Sequence, residues 1–369
     1  MKLSEAILGP DGAAQRRAVA KAITLLESTR PDHRTRADDL LTALLPHTGN
    51  SFRLGISGVP GVGKSTFIEA LGLKLIAQGH RVAVLAIDPS SSLSGGSILG
   101  DKTRMEHLSV HPQAYIRPSP ASGTLGGVAA RTREAMLVCE AAGYDIVIVE
   151  TVGVGQSEIA VAGMTDMFVL LQLPNAGDDL QAIKKGVMEL ADLVAINKVD
   201  IDRDAAMRAE AQITSALRIL GQHGRPDHAH HDESLWHPQV LALSALTGDG
   251  VAAFWQAVTR FRELQQASGR LAARRRHQAL AWMWERIESG LRQAFREHPG
   301  VRSLLPQLTR EVEQGRVAAS TAARQLLSVS ACHPGLEPGS TAASAPCHPG
   351  LEPGSTKTSE DMDPGSSPG

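Results

Sequence analysis

One eight-residue segment, Gly58–Ser65, sharply narrows the folds open to this chain. It matches the spacing Gly-x-x-x-x-Gly-Lys-Ser, follows the apolar run 52–57 and precedes apolar residues at helical spacing. A strand, a glycine-rich turn and a helix in this order form a P-loop, whose backbone N–H groups surround phosphate oxygens. The predicted phosphate-binding residues are Gly58, Val59, Pro60, Gly61, Val62, Gly63, Lys64, Ser65 and Thr66.

The segment after residue 49 alternates short apolar runs with helical stretches. Runs this apolar are typical of parallel strands that helices cover on both faces. The alternation predicts an α/β fold, a P-loop NTPase with a doubly wound, mostly parallel sheet. The predicted strands are Phe52–Ser57, Val82–Ile87, Ile146–Glu150, Met167–Leu173, Leu193–Asn197 and Val240–Ser244.

Composition divides the chain into four regions. Helical periodicity predicts an N-terminal helical extension over 1–48, before the nucleotide-binding domain at 49–262. A C-terminal helical region is predicted over 263–328, and its basic run Arg274–Arg276 is interpreted as a solvated helix face. The tail, 329–369, repeats a Cys-His-Pro-Gly-Leu-Glu-Pro-Gly-Ser-Thr unit, and its proline and glycine content predicts disorder.

Charge and cysteine content exclude several classes of function. The formal net charge is −2, so no global field favours nucleic acid or a membrane surface. No apolar run approaches the roughly 20 residues that span a bilayer. The three cysteines form neither a disulfide framework nor a Cys-x-x-Cys pair. A cytoplasmic protein that binds neither nucleic acid nor membrane is therefore expected.

The segment Asn197–Asp200 indicates which nucleotide base is recognised. It has the sequence Asn-Lys-Val-Asp and lies at the end of a predicted strand. A carboxylate at Asp200 accepts hydrogen bonds from N1–H and the exocyclic amine of guanine, whereas adenine would leave it unpaired. Asn197 is expected to hold the loop and the N7 edge, and Lys198 to lie along the ring. The backbone of Ser244, Ala245 and Leu246 is expected to contact guanine O6. GTP and GDP are therefore the predicted ligands.

Acidic groups near Ser65 are candidates for holding Mg²⁺. Asp88 and Glu150 each end a predicted strand, and Asp101 lies in a glycine-rich segment between them. Gly153, three residues after Glu150, is placed to donate its N–H to the γ-phosphate. The predicted metal ligands are Ser65, Asp88, Asp101 and Glu150. No residue is evident that orients the attacking water, because the spacing of Gln156 is unusual for that role.

Five longer segments resemble the methylmalonyl-CoA mutase-associated GTPases, a family related to the human methylmalonic aciduria type A protein. The resemblance runs from about residue 15 to 328 and includes the C-terminal segments 282–287 and 298–302. Its bacterial members were once labelled arginine/ornithine transport kinases. The segments that carry the resemblance are Gly79–Ser91, Gly95–Met105, Glu150–Glu158, Gly177–Gly186 and Asn197–Asp200.

The resemblance implies a SIMIBI-class GTPase that forms a homodimer through its C-terminal helices. It implies an adenosylcobalamin-dependent acyl-CoA mutase as partner, whose cofactor loading and protection the GTPase governs. Residues 175–186 would relay the nucleotide state, and intrinsic hydrolysis would be slow and accelerated by the mutase. The residues implied for phosphate and Mg²⁺ handling are Lys64, Asp88, Asp101, Arg104 and Glu150; Lys64, Asp101, Arg104 and Glu150 are the catalytic candidates.

Three other functions stay open. Histidines between His223 and His237 suggest a nickel-insertion GTPase, although a solvated loop is the favoured interpretation of this stretch. The older family label suggests a transport-system kinase, but no kinase catalytic loop is evident. The third alternative is a GTP-occupied scaffold without useful turnover.

Overall fold

A computed structural model describes residues 2–87, 105–118, 125–151, 157–174, 185–222 and 235–331. The chain divides after Ser289 into two compact units. The predicted sites Asp88, Asp101, Arg104 and Gly153, most of the segment 175–186, the histidines from 223 to 231 and the tail from 332 lie outside the described residues.

Seven parallel strands form the sheet of the first unit, in the order β3-β2-β4-β1-β5-β6-β7. β1 lies at the centre of the sheet, where it pairs with β4 on one side and β5 on the other. The prediction of a doubly wound parallel sheet is confirmed. The strands are β1 (Phe52–Gly58), β2 (Val82–Ile87), β3 (Ala114–Arg117), β4 (Ile146–Thr151), β5 (Met167–Gln172), β6 (Leu193–Ile196) and β7 (Gln239–Ala242).

Strand β3 was not predicted from the sequence. It has four residues at the edge of the sheet, and three of them, Tyr115, Ile116 and Arg117, are only half-buried. A short edge strand lacks the continuous apolar run of a strand covered on both faces. The six predicted strands are all present, with ends that differ by up to two residues.

Helices cover both faces of this sheet. On one face, Phe67 of α4 and Phe254 of α10 pack edge to face, with ring centroids 4.9 Å apart. The other face packs against α2, α3, α6 and α9. The helices are α1 (Leu3–Ile7), α2 (Ala13–Glu27), α3 (Pro31–Leu44), α4 (Lys64–Ala77), α5 (Glu106–Val110), α6 (Leu125–Ala141), α7 (Ser157–Ala162), α8 (Lys185–Leu190), α9 (Arg203–Gln222), α10 (Val251–Ala267), α11 (Arg270–Glu297), α12 (Pro299–Glu313) and α13 (Ala319–Ala331).

The N-terminal helices are fastened to the sheet domain by a buried amide. Gln15 of α2 donates to the carbonyl oxygen of Ala142 at 3.0 Å and accepts from the Arg81 guanidinium at 2.9 Å. Arg81 also donates to the Ala142 carbonyl at 2.7 Å and stacks over the Tyr144 ring. These contacts fasten α2 to the sheet domain, and buried residues of α1, α2 and α3 share one apolar cluster with the sheet.

The basic run on α11 is not a solvated face, contrary to the interpretation from sequence. Arg275 forms a bidentate pair with the buried carboxylate of Asp166, at 2.7 and 2.5 Å. Arg274 pairs with Asp192 at 3.2 Å, while Arg276 is exposed. Two of the three arginines therefore anchor α11 to loops that precede β5 and β6.

The second unit is a small helical assembly. The end of α11, α12 and α13 enclose a separate apolar cluster made of Val301, Leu308, Ala322 and Leu326. Among the described residues of the whole chain, no helix is long and apolar enough to cross a membrane.

Candidate functional site: a P-loop at the carboxyl edge of the sheet

The P-loop leaves the carboxyl end of β1 and enters α4. Gly63 has φ +92°, and a Cβ there would lie 2.7 Å from Nδ2 of Asn197. A side chain is excluded at Gly63 both by the left-handed backbone and by this close approach. The carboxyl edge of the central strands is where ligands bind in open α/β sheets.

Lys64, the first residue of α4, is buried at this loop. Its ammonium donates to the carbonyl oxygens of Gly58 at 2.7 Å and Val59 at 3.2 Å. The N-terminus of α4 adds its positive dipole at the same place. The loop therefore concentrates positive charge and backbone donors in the arrangement that binds phosphate groups.

Ser65 and Glu150 are brought together although they are far apart in sequence. The Ser65 hydroxyl lies 3.4 Å from Oε1 of Glu150, which is 4% exposed near the end of β4. Next to Glu150, Thr151 donates from its hydroxyl to that of Ser57 at 2.9 Å. The sequence pattern did not indicate the Thr151–Ser57 pair, because neither residue belongs to the P-loop motif.

Asn197 joins the P-loop to the loop after β7. Its Nδ2 donates to the Val62 carbonyl at 2.8 Å, and its Oδ1 accepts from the Ala245 N–H at 2.9 Å. Asn197 is 1% exposed, so both bonds are shielded from water. This geometry agrees with the expected role of Asn197 in holding the loop. Both polar atoms of its amide, Nδ2 and Oδ1, form the bonds that hold the P-loop and the loop after β7.

Lys198 and Asp200 follow at the surface. Lys198 has φ +66°, the only positive φ among the described non-glycine residues. Its Cε lies 3.8 Å from the position of a Cβ on Gly63, so its stem runs along the P-loop. Asp200 is exposed, which leaves its carboxylate accessible to a ligand.

Ser244, Ala245 and Leu246 form the companion loop. The Ser244 N–H donates to the Asp249 carbonyl and its hydroxyl accepts from the Thr247 N–H, which closes a tight turn. Ala245 is buried against Asn197, and Leu246 is 80% exposed. The structure therefore brings together the P-loop, Ser65, Glu150, the 197–200 segment and this turn at one edge of the sheet.

Among the described residues, no group of three or more histidine, cysteine, aspartate or glutamate side chains is placed to hold a metal ion. A nickel site of that kind is therefore absent from the described part of the chain. Mg²⁺ at nucleotide sites needs only one or two protein oxygens, because phosphates and water supply the rest. The oxygens of Ser65 and Glu150 are ligands of the type that Mg²⁺ prefers.

Comparison with known proteins identifies the family. Residues 19–300 match the family described as methylmalonyl-CoA mutase-associated GTPase MeaB. A probable GTPase of Mycobacterium tuberculosis is 51% identical over 329 residues, which cover 89% of this chain and 94% of that protein. The mouse mitochondrial methylmalonic aciduria type A homolog is 48% identical over 324 residues, which cover 85% of this chain and 76% of that protein.

A solved structure has a similar fold. The crystal structure of a LAO/AO transport system kinase is 38% identical in sequence, with a TM-score of 0.67, over 88% of this chain and 95% of that one. The P-loop, the Asn-Lys-Val-Asp segment at 197–200 and these relatives support one assignment. The chain belongs to the methylmalonyl-CoA mutase-associated GTPase family, binds guanine nucleotides and is a GTP hydrolase.

Proposed function

We propose that this GTPase is a nucleotide-dependent chaperone for an adenosylcobalamin-dependent acyl-CoA mutase, most simply methylmalonyl-CoA mutase. It governs loading of the cobalamin cofactor and protects the loaded enzyme. The observation that carries the proposal is the family match over residues 19–300, because that family is described by its association with this mutase. The mouse relative is named for methylmalonic aciduria, which is compatible with a partner that acts on a methylmalonyl group.

Guanine recognition is assigned to three residues and a turn. Asp200 accepts from N1–H and the exocyclic amine, Lys198 lies along the ring, and the backbone of the 244–246 turn faces O6. Asn197 positions the turn from below. The exposure of Asp200 and the buried bonds of Asn197 support this division between a ligand-facing and a positioning residue.

Phosphate binding is assigned to residues 58–66 and Gly153. Hydrolysis of GTP depends mostly on alignment and neutralisation of charge, so few covalent roles are needed. Lys64 neutralises charge on the β- and γ-phosphates, and Arg104 and Asp101 are the further catalytic candidates. The ammonium of Lys64, held at the carbonyl oxygens of Gly58 and Val59, supports its place in this scheme.

Magnesium is the expected metal cofactor. When bound, it neutralises phosphate charge and fixes the orientation of the β- and γ-phosphate oxygens. The Ser65 hydroxyl and the Glu150 carboxylate, 3.4 Å apart, fit it as oxygen donors, and Asp88 and Asp101 are the other proposed ligands.

The proposed dimer interface is an apolar stripe on α11. Leu280, Met283, Trp284 and Ile287 recur at helical spacing, and all four are exposed. Apolar side chains that form such a stripe are commonly covered by a partner helix. Replacing Trp284 with Asp is expected to shift the chain from dimer to monomer in light scattering, whereas Ser289→Asp, on the opposite side of the helix, leaves the dimer. A monomeric wild type, or a dimeric Trp284→Asp variant, contradicts this interface.

The chaperone role is tested by co-purification with a cobalamin-dependent mutase in the presence of a non-hydrolysable GTP analogue. The proposal expects a complex whose yield depends on the analogue and falls for Lys64→Ala. The absence of a complex with methylmalonyl-CoA, isobutyryl-CoA or related mutases contradicts it.

A switch is distinguished from a passive scaffold by Glu150. In a switch, Glu150→Ala lowers GTP hydrolysis and removes its dependence on the mutase. In a scaffold, hydrolysis stays negligible in both proteins while GTP binding continues. Glu150→Gln, which keeps size and removes charge, separates an effect of charge from one of packing.

Two alternatives have direct assays. A transport-system kinase, the activity named for the 38% identical structure, predicts phosphate transfer from labelled nucleotide to a binding protein. A nickel-insertion GTPase predicts nickel binding in equilibrium dialysis that is lost when the histidines between 223 and 237 are replaced. Neither assay depends on a mutase.

A further inference from the structure

Gln172, at the carboxyl end of β5, carries a buried amide with no hydrogen-bond partner. It is 1% exposed, and neither Oε1 nor Nε2 bonds to any described residue. Buried polar side chains are hydrogen-bonded in the large majority of cases, so a fully unsatisfied amide demands a reason. Such groups are found where function rather than stability determines the residue.

The main chain of this end of β5 is joined to both nucleotide-binding elements. The Gln172 carbonyl accepts from the Asn197 N–H at 2.8 Å. The preceding residue, Leu171, pairs in register with Gly58, and its carbonyl oxygen lies 2.6 Å from the position of a Cβ on Gly58. Gln172 therefore lies between β1, which leads into the P-loop, and β6, which leads into Asn197.

The described strand neighbours of Gln172 on its face of the sheet are mostly apolar. Alternation along β5 places it on the same face as Phe168 and Leu170, and its neighbour in register on β6 is Ile196. On β1, the polar residue on this face is Ser57, which bonds to Thr151 instead. None of these neighbours hydrogen-bonds to the amide, so contacts with them do not explain why the residue is polar.

We propose that Gln172 is a positioning residue for GTP binding, whose amide takes its hydrogen bonds from polar groups that bound nucleotide arranges at this edge of the sheet. A polar group that forms more hydrogen bonds in the nucleotide-bound state shifts the equilibrium toward that state. Gln172 thereby strengthens nucleotide binding without touching the nucleotide. Coupling of this kind is typically worth about 5- to 150-fold in affinity.

The test replaces Gln172 with Leu, which keeps volume and removes the amide. The matched control is Thr165→Val, because Thr165 is also fully buried but its hydroxyl already donates to the Val161 carbonyl at 2.8 Å, away from the carboxyl edge. Two quantities are measured for each protein: the Tm without nucleotide, and the Kd for GDP and for a non-hydrolysable GTP analogue by calorimetry.

For Gln172→Leu we expect a Tm without nucleotide that equals or exceeds that of the wild type. Its Kd for nucleotide is expected to rise about fivefold or more. Thr165→Val is expected to show the opposite pattern, with a lower Tm and an unchanged Kd. The combination of retained stability and weakened binding is the signature of a positioning role.

Two results overturn the proposal. One is a Gln172→Leu protein with lowered Tm, which means that the amide is already satisfied, for example by an internal water. The other is an unchanged Kd, which means that the amide is not linked to the nucleotide. Gln172→Met is the second variant, and failure of both to fold counts against the proposal, because an apolar side chain is expected to be tolerated.

Discussion

The side-chain amide of Asn197 donates to the Val62 carbonyl at 2.8 Å and so ties the 197–200 segment, which follows β6, to the P-loop. The same amide accepts from the Ala245 N–H, so one buried side chain joins the P-loop, the 197–200 segment and the 244–246 turn. In the proposed site, these two hydrogen bonds hold the base-binding and phosphate-binding loops at a fixed separation. Their integrity is therefore expected to control both stability and nucleotide affinity.

Asn197→Ala is expected to lower the free energy of unfolding by about 2–6 kcal/mol. The Val62 carbonyl and the Ala245 N–H would both lose a buried partner, at about 1–3 kcal/mol each. Nucleotide affinity falls as well, because the loops lose their common support. Urea unfolding and calorimetric Kd measure the two effects. Gln307→Ala, which removes an exposed amide bonded to Glu311, serves as control and stays within about 0.5 kcal/mol of wild type.

Asp200→Asn is expected to change the base that is recognised. The amide presents a donor where the carboxylate presents only acceptors, so it repels the guanine exocyclic amine and complements the carbonyl of xanthine. GTP affinity falls by about 10⁴-fold while XTP binding appears. Stability is unchanged, since Asp200 is exposed. Undiminished GTP binding by Asp200→Asn would contradict the assignment of the base site.

Arg275→Ala is expected to destabilise the first unit by about 3–5 kcal/mol, because it leaves the buried carboxylate of Asp166 without its ion-pair partner. Asp166 is 0% exposed and holds Arg275 through both carboxylate oxygens. Arg276→Ala, one residue on, removes an exposed arginine and is the matched control, with a change under about 0.5 kcal/mol. If urea unfolding showed the same loss of unfolding free energy for Arg275→Ala and Arg276→Ala, the interpretation of the basic run as a solvated face would be restored.

The ion pair of Glu140 predicts a pH dependence of stability. Burial alone would raise the pKa of Glu140, but the hydrogen bonds and charge of Arg53, 2.6 Å away, lower it below its ordinary 4.5. A lowered carboxyl pKa contributes stability above the unfolded value that is lost as pH falls through the folded one. Wild type therefore exceeds Glu140→Gln in unfolding free energy at pH 7, and the gap closes below about pH 4.5.

Glu263→Gln is the control for this profile, because Glu263 is exposed. Its unfolding free energy is expected to run parallel to that of wild type between pH 7 and pH 3. A gap for Glu140→Gln that stays constant with pH would mean that Arg53 does not hold the carboxylate in its charged form.

Local motifs made much of the fold predictable. β1, β2, β4, β5, β6 and β7 were expected because strands covered on both faces are continuously apolar. The P-loop was expected because its glycines and lysine are adjacent in sequence. β3 escaped prediction because an edge strand with a half-exposed arginine lacks that apolar run.

Long-range pairs account for what the sequence did not reveal. The bond between Asn197 and Val62 crosses 135 positions, and the pair of Arg275 and Asp166 crosses 109. Nothing in the local pattern distinguishes Arg275 from Arg276, since only the folded chain brings a buried carboxylate to one of them. Gln172 was likewise predicted to lie near the end of an apolar strand. Only the structure shows that its buried amide has no hydrogen-bond partner.

Single-turnover GTP hydrolysis, measured with and without an adenosylcobalamin-dependent acyl-CoA mutase, tests the account most directly. We predict slow hydrolysis by the isolated chain, a clear acceleration by the mutase, and loss of both in Lys64→Ala. A fast rate for the isolated chain that no mutase changes would contradict the account.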